Sequence, residues 1–276
     1  MIATAVPGVR TGAWTYFAFV LPWSATFWLA SQHVNPGLPP ESSWVFLLGG
    51  AGPLLGALLF THLRESRATQ RDFWRRIIDA RLIAPRWLVV ALGVHPLIVA
   101  IAIVIGTGFG LAAPDLRLPE GGLTGLLVLA IFTFWFGPLP EEIGWRGFAL
   151  DRLLARQSAL RSSVVLGCVW AAWHLPLFAV PGTFQHALGI ATPRAWIFLA
   201  TMLPLSVVIT WVYLHTARST LAAALVHFSG NLCGALIVKS TALAALELAV
   251  LCAAALLVLP AGLLRKPGGT CGVRGV

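Results

Sequence analysis

Apolar residues run along the chain in long stretches and not in the two-residue alternation of half-buried strands. Apolar runs of about 17 to 25 residues predict helices long enough to cross a bilayer. Eight such stretches stand between polar breaks, at about 12–31, 44–63, 87–112, 123–150, 162–181, 195–214, 221–238 and 241–264. The breaks at 35–40 and 114–122 are rich in proline and glycine, which is typical of loops. The pattern predicts an all-α bundle of about eight helices.

One long polar interruption, at 64–86, separates the second and third apolar stretches. It places Phe73, Trp74 and Ile77 among arginines at helical spacing. We expect an amphipathic helix along the inner membrane surface, near anionic lipid. The plainer interpretation is a basic anchor that only sets the topology. Because the chain has no internal repeat and no second polar unit, residues 1–276 are expected to form a single integral membrane domain.

Composition explains why these stretches are spans. Soluble domains carry about 25% charged residues, whereas this chain has 11% charged and 58% hydrophobic residues. The basic residues behind its net charge of +9 are concentrated on one side of the predicted membrane. Of all lysines and arginines, only Arg117, Arg194 and Lys239 fall outside the predicted cytoplasmic segments. This bias predicts that both termini are cytoplasmic, and it makes the charge a topology signal and not a nucleic-acid signal. The four cysteines include no CxxC pair, which argues against a disulfide framework or a zinc finger.

Few ionisable groups fall inside the apolar stretches, and such groups are candidates for function because they are costly to bury. At about 1.5 Å of rise per residue, four polar residues on three helices share a depth of about 12 to 18 Å from the cytoplasmic side: Glu141, His174, His227 and Asn231. His95 and Glu247 have no partners in this depth pattern, and we leave both out of the candidate site.

Local spacing separates the two adjacent acids. Glu142 and Arg146 are four residues apart with the acid first, which favours an ion pair on one helix face. Glu141 points about 100° away from Glu142 and is free to face a cavity. Pro138 precedes both acids, so we expect a kink or a new helical segment to begin there. His227 and Asn231, again four residues apart, share one face.

This set of side chains indicates hydrolysis in a water-filled cavity. A carboxylate near a histidine can deprotonate a water molecule, and a second histidine with an amide can donate hydrogen bonds to the resulting oxyanion. The alternative is a zinc ion on Glu141, His174 and His227, with Asn231 as a further ligand or support. The HExxH helix of common zinc proteases is missing. The residues leave both possibilities open, so the cofactor is either Zn²⁺ or none.

The three motifs together resemble a known family. The segments Glu141-Glu142-x-x-x-Arg146, Trp170-x-x-x-His174 and His227-x-x-x-Asn231 look like those of the CAAX-protease and bacteriocin-processing (Abi) family, which includes the type II CAAX prenyl endopeptidases. The likeness covers about residues 123–240. It implies that Glu141 and His174 activate water, and that His227 and Asn231 bind the oxyanion. It also implies that Glu142 and Arg146 complete the first motif. The second motif usually begins with Phe, and we expect Trp170 to change packing more than chemistry.

The resemblance implies an intramembrane endopeptidase acting on a membrane-associated protein or peptide, either prenylated or unprenylated, without a nucleic-acid partner. It also implies a multi-pass protein of a bacterial inner membrane. Two other functions fit the same residues. A proton-coupled transporter uses intramembrane Glu and His chains, but it predicts interrupted helices in both halves, whereas the polar interruption lies mainly in the fourth stretch. A non-catalytic adaptor or self-immunity protein would keep only the scaffold.

Overall fold

The computed structural model describes residues 11–34 and 39–259, and nearly all of its regular structure is helical. In chain order the helices are α1 (Ala13–Val34), α2 (Trp44–Gly50), α3 (Gly52–Arg64), α4 (Arg67–Ile78), α5 (Pro85–Gly108), α6 (Gly122–Phe136), α7 (Pro138–Gly144), α8 (Asp151–Leu154), α9 (Ala159–His174), α10 (Phe184–Leu188), α11 (Pro193–His215), α12 (Thr220–Leu236) and α13 (Thr241–Val258). Two short strands, β1 (Asp115–Leu116) and β2 (Ile237–Val238), pair antiparallel beside the end of α12. The predicted all-α membrane fold is confirmed.

Five helical stretches are long and apolar enough to cross a membrane: Pro85–Gly108, Gly122–Leu154, Ala159–Ala179, Pro193–His215 and Thr241–Val258. Helices α2 and α3 meet at a 60° bend and together would make a sixth. All eight predicted stretches are mainly helical where the structure describes them, but the third and fifth run past the ends of their helices and the seventh ends in strand β2. The number of eight spans and the cytoplasmic placement of both termini stay predictions. The basic residues of both termini lie outside the described residues: Arg10, Arg265, Lys266 and Arg274.

Four of the long helices begin at a hydroxyl side chain that the sequence places just before the apolar stretch. Ser158, Thr192, Ser219 and Ser240 precede α9, α11, α12 and α13, and each accepts a hydrogen bond from a backbone N–H three residues on. Such caps satisfy one of the otherwise unpaired donors at a helix start. They fix where each helix begins and therefore the register of the residues along it.

Helix α11 lies at the centre of the bundle. In its apolar stretch 67% of the residues are buried, against 6% in the stretch that contains α6. It packs against α9, α12 and α13. The candidate residues of the sequence lie on α7, α9 and α12. Helices α9 and α12 pack against this central helix and α7 packs against α12, so the site is inside the bundle.

Helix α4 is the helix predicted at the polar interruption, but its arginines do not all face outward. Phe73, Arg76 and Ile77 form part of a buried face, and Arg76 Nη1 lies 3.1 Å from the Asp151 carboxylate. Arg76 also donates to the carbonyl oxygen of Gly147 at 3.1 Å. The predicted helix is present, and Arg76 differs from its exposed arginines because it faces the bundle and pairs with a buried carboxylate.

Candidate active site

The two adjacent acids stand on a short helix that follows a break in the chain. Helix α6 ends at Phe136, Gly137 adopts φ −129° and ψ −92°, and α7 starts at Pro138 with Glu141 in its first turn. Pro suits the first turn of a helix because its missing N–H would have no partner there. The predicted new helical segment at Pro138 is confirmed.

Helix α7 packs closely against α1 and α3 at Gly144. A Cβ atom at Gly144 would lie 2.2 Å from the Tyr16 hydroxyl and 2.5 Å from Pro53 Cβ, so only glycine allows this contact. The same hydroxyl donates to the Pro53 carbonyl at 2.9 Å. The acids are thus fixed relative to α1 and α3.

A π-helix from Trp145 to Leu150 follows α7 directly. Single π-turns inside helices are rare and are frequent at functional sites. This one contains Arg146 and joins the acids to α8. Its carbonyl at Gly147 accepts the hydrogen bond from Arg76, which ties this irregular turn to α4. No spacing rule applied to the sequence separates a π-turn from ordinary helix.

Glu142 lies at the centre of a buried charge cluster. Its Oε1 accepts from Arg146 Nη1 at 2.8 Å and lies 3.0 Å from His227 Nδ1. Arg146 Nη2 also donates to Ser206 Oγ at 3.2 Å. Glu142 and Arg146 are fully buried. The predicted ion pair on α7 is present, and it reaches across to α12 through the histidine.

Glu141 points to a different partner, as its angular offset predicts. Its Oε2 accepts a hydrogen bond from the indole Nε1 of Trp170 at 2.9 Å. The Trp170 carbonyl accepts in turn from His174 Nδ1 at 2.8 Å. Because a carbonyl oxygen accepts but cannot donate, Nδ1 of His174 carries the proton and a neutral ring presents Nε2 as an acceptor.

Trp170 also contacts the Glu142 cluster. Its ring centroid lies 4.9 Å from that of His227 in an edge-to-face arrangement, and Arg146 Cζ lies 5.0 Å from the same ring. Both are ordinary aromatic and cation–π geometries. The expectation that Trp170 alters packing more than chemistry is incomplete, because its N–H is bound to a candidate catalytic acid.

Asn231 is one turn beyond His227 on α12 and is exposed. Its Nδ2 would lie 3.6 Å from a Cβ built at Gly137, so the amide is next to the break between α6 and α7. Within the described residues no hydrogen bond joins Glu141 to His174, or His227 to Asn231. The structure therefore gathers the predicted residues around Trp170 and Gly137.

The zinc alternative requires three ligands that converge on one point. In the part of the chain that the structure describes, no group of three or more His, Cys, Asp and Glu side chains is placed to hold a metal ion. Both histidines also have Nδ1 directed elsewhere, to Glu142 and to the Trp170 carbonyl. The arrangement does not fit the zinc set suggested by the sequence.

Sequence reasoning missed a second buried pair. His95 Nε2 on α5 lies 3.2 Å from Glu247 Oε1 on α13, and Lys239 contacts the other carboxylate oxygen. The two helices run in opposite directions, so His95 is ten residues from one end and Glu247 six residues from the other. Counting depth from both membrane faces would have placed them within about 6 Å of each other in height. This depth count is the sequence observation that could have predicted the pair.

Comparison with known proteins covers the same helices. The family model described as type II CAAX prenyl endopeptidase Rce1-like matches residues 123–233, a range that contains every candidate site residue from Glu141 to Asn231. The protein named CAAX prenyl protease 2 of Methanococcus maripaludis is 27% identical over 192 residues, covering 68% of this chain and 70% of that protein. With the three motifs on α7, α9 and α12 and the long apolar helices, these matches support a multi-pass membrane protein that is similar to the CAAX-protease and bacteriocin-processing family.

Proposed function

We propose that this protein is an intramembrane endopeptidase that uses Glu141 to activate the water that attacks a peptide bond. One observation carries the proposal: two adjacent buried carboxylates have different partners. Glu142 is ion-paired with Arg146, whereas Glu141 makes no ion pair within the described part of the chain and its Oε2 accepts from the neutral indole of Trp170. An acid without a bound cation is the better proton acceptor of the two.

In the proposed reaction, a water oxygen bonds to the carbonyl carbon of the substrate while its proton moves to Glu141. The carbonyl π electrons move to oxygen and form an oxyanion. His174 lies on the neighbouring helix with Nε2 free to accept or return a proton, because Nδ1 is held by the Trp170 carbonyl. The C–N bond then breaks, and the amide nitrogen takes the proton that the acid removed from water.

The oxyanion is proposed to bind between His227 and Asn231. Glu142 holds His227 through Nδ1, which leaves Nε2 directed away from the carboxylate. A protonated His227, with its charge balanced by Glu142, donates through Nε2–H, and Asn231 donates through its exposed amide. Removing one such donor usually lowers kcat by about 100- to 1,000-fold.

The substrate is proposed to be a membrane-anchored protein or peptide. The matched archaeal relative is named for a prenyl protease, and the stretches that contain α7 and α9 are long and apolar enough to cross a membrane. A lipid-modified peptide is held in the bilayer by its chain at about 0.8 kcal/mol per buried CH₂ group, which concentrates it at such a site. A bacterial inner membrane remains our expectation for the location.

The test is cleavage of prenylated and unprenylated peptides by the purified protein in lipid nanodiscs. Glu141→Gln is expected to reduce cleavage by about 100- to 10,000-fold, because it removes the base without changing the shape of the side chain. Glu247→Gln is the matched control, since it makes the same change at another buried acid on α13. His174→Gln is expected to lose activity as well.

Each other outcome contradicts a specific part of the proposal. Cleavage that survives Glu141→Gln would show that the site is wrong. Proton flux in liposomes without cleavage of any peptide would favour the transporter, and unchanged cellular function of Glu141→Gln would favour the adaptor. A strong chelator is expected to leave the rate unchanged. Loss of activity with the chelator, restored by Zn²⁺, would require a rearrangement of Glu141, His174 and His227 that the present contacts do not contain.

A further inference from the structure

Trp170 touches both halves of the candidate site. Its indole N–H donates to Glu141 and its carbonyl accepts from His174. Its ring contacts His227 and Arg146. Glu141, His174 and the cluster around Glu142 therefore all contact the same residue on α9, His174 through the backbone carbonyl and the others through the side chain.

The indole is suited to holding a carboxylate. It is a donor only, and Trp170 is 1% exposed, so its N–H must find a partner inside the protein. A hydrogen bond to an ionised acceptor is about twice as strong as a neutral one. The bond engages Oε2 of Glu141. Phe, the usual residue at this place in the resemblance, would keep the ring and lose the donor.

We propose that Trp170 is a positioning residue that fixes the rotation of the Glu141 carboxylate through its indole N–H. The inference rests on the proposed function, in which Glu141 is the base. With the donor removed, the carboxylate samples more orientations and fewer of them are productive. Misplacement of a catalytic group by about 1 Å can cost about 100-fold in rate.

The experiment compares Trp170→Phe with Trp173→Phe. Both residues are buried on α9, and both donate through Nε1: Trp170 to Glu141 and Trp173 to Ser24 Oγ at 2.8 Å. Trp170→Phe is expected to lower kcat by about 10- to 100-fold with KM within about threefold of the wild-type value. Trp173→Phe is expected to change kcat by less than about threefold, because its donor serves α1 and not the site.

A spectroscopic readout tests the contact without any activity. In protein labelled with ¹⁵N at the indole nitrogens, the resonance missing from Trp170→Phe identifies Trp170 Nε1–H. This resonance is expected to shift in Glu141→Gln, because a neutral amide replaces a charged acceptor, and to stay in place in Glu247→Gln. An unchanged resonance in Glu141→Gln would overturn the proposal, even if no peptide in the panel is cleaved.

The kinetic outcomes separate this inference from the proposed function. Wild-type kcat in Trp170→Phe, together with an inactive Glu141→Gln, would overturn the positioning role and leave Glu141 as the base. An equal loss of kcat in Trp170→Phe and Trp173→Phe would also overturn it, because the cause would then be the packing of α9.

A second inference rests on a different part of the molecule. A cleft of about 880 Å³ opens beside α4. Its wall carries arginines at helical spacing, and its acid, Asp79, is engaged by Arg81 at 2.8 and 3.2 Å. Within the described residues no carboxylate pairs with Arg67 or Arg71, and both are exposed. The cleft therefore offers unneutralised positive charge.

The same cleft has an apolar edge. Trp74 and Ile78 line it and are 38% and 71% exposed. Helix α4 stands between the end of one apolar helix, α3, and the start of another, α5, which puts it at a membrane surface. We propose that the cleft binds the phosphate of an anionic phospholipid, with Arg67 and Arg71 on the headgroup and the acyl chains along Trp74 and Ile78.

The test is lipid binding by native mass spectrometry with phosphatidylglycerol, phosphatidylcholine and inorganic phosphate. The wild type is expected to retain phosphatidylglycerol at least about tenfold better than the doubly substituted Arg67→Gln, Arg71→Gln protein. The control is Arg156→Gln, Arg161→Gln, which removes two exposed arginines outside the cleft. Equal retention by both variants would overturn the proposal. Equal binding of inorganic phosphate and of the lipid would overturn the role of the apolar edge.

Discussion

Two histidine–glutamate pairs are buried in this bundle, and they make nearly the same contact. His227 Nδ1 lies 3.0 Å from Glu142, and His95 Nε2 lies 3.2 Å from Glu247. Each carboxylate also contacts one cation, Arg146 for the first and Lys239 for the second. Composition and distance alone do not distinguish them.

Their surroundings differ. Beside the first pair stand a second carboxylate, Glu141, an indole donor, Trp170, and the exposed amide of Asn231 one turn along α12. The second pair packs against the backbone of Gly230, where a Cβ would lie 3.0 Å from His95 Nδ1. A buried ion pair joins helices in both places, but chemistry needs a base that is not already neutralised and donors that face a substrate. Among the described residues, only the first place combines a neighbouring acid that has no ion pair, Glu141, with an exposed amide, Asn231.

The largest expected difference between the pairs is in stability. Arg146→Gln leaves the fully buried Glu142 without its cation, and breaking a buried pair in this way costs about 3–5 kcal/mol. Lys239→Gln is expected to cost about 1–2 kcal/mol, because the Lys239 side chain is 16% exposed and water can reach Glu247. Thermal unfolding in nanodiscs measures both. Equal losses would mean that the two environments are equivalent.

Activity gives the next difference. His227→Asn keeps a donor near the position of Nδ1, so Glu142 stays paired, but it removes Nε2. We expect kcat to fall by about 100- to 1,000-fold. His95→Gln keeps a donor near Nε2, the atom that contacts Glu247, and is expected to leave kcat within about threefold of wild type. Peptide cleavage at saturating substrate measures both variants, and a comparable loss in His95→Gln would extend the catalytic site to α5.

The third prediction concerns the glycine between the pairs. In Gly230→Ala the new methyl group meets the His95 ring at 3.0–3.3 Å, and such overpacking costs about 1–3 kcal/mol. Gly234→Ala on the same helix meets nothing within 4 Å and is expected to be neutral or to stabilise by up to about 1 kcal/mol. Unfolding measurements on the two alanine variants separate the close approach from helix propensity. A stable Gly230→Ala protein would show that His95 has room to move.

The sequence predicted the features that depend on residues close to one another along the chain. Apolar length predicted the helical stretches, Pro138 predicted the break before the acids, and the four-residue spacing predicted the Glu142–Arg146 pair. Each depends on neighbours within a turn or two of the chain. The roles assigned to Glu141, His174, His227 and Asn231 stay predictions until they are measured.

Contacts between segments that are distant along the chain were not predicted from the sequence. His95 and Glu247 are 152 residues apart, and their meeting depends on how α5 and α13 pack. The indole of Trp170 reaches Glu141 because tertiary packing selects its rotamer, which neither residue encodes alone. The pairing of Arg76 with Asp151 was not predicted for the same reason. A basic residue on a polar helix is usually solvated, and only the fold brings Asp151 to it. The π-turn was not predicted because its residues are equally compatible with an α-helix.

The smallest expected effect concerns an ionic cluster outside the apolar helices, where every acid is paired and no chemistry is expected. Asp72 lies within 3.0 Å of Arg75, Arg76 and Arg218. Partial burial alone would raise the pKa of Asp72, but these guanidinium groups outweigh it and hold the pKa below its ordinary value. A carboxylate with a lowered pKa in the folded state stabilises the protein above its unfolded pKa of about 3.9, and this contribution is lost as the pH falls through the folded value.

Asp72→Asn is therefore expected to reduce the free energy of unfolding by about 1 kcal/mol or less, since the carboxylate is partly exposed. The difference from wild type should be constant between about pH 5 and pH 8 and should shrink below about pH 4. Cleavage at neutral pH should be unchanged, because Asp72 is on α4 and touches none of the acids on α7. Thermal unfolding of both proteins across this range measures the stability difference.

A difference that grows as the pH falls would reverse the sign and show that the arginines do not hold the ionised form of Asp72. A loss of cleavage at constant stability would instead connect the α4 cluster to the site, through the hydrogen bond of Arg76 to the π-turn.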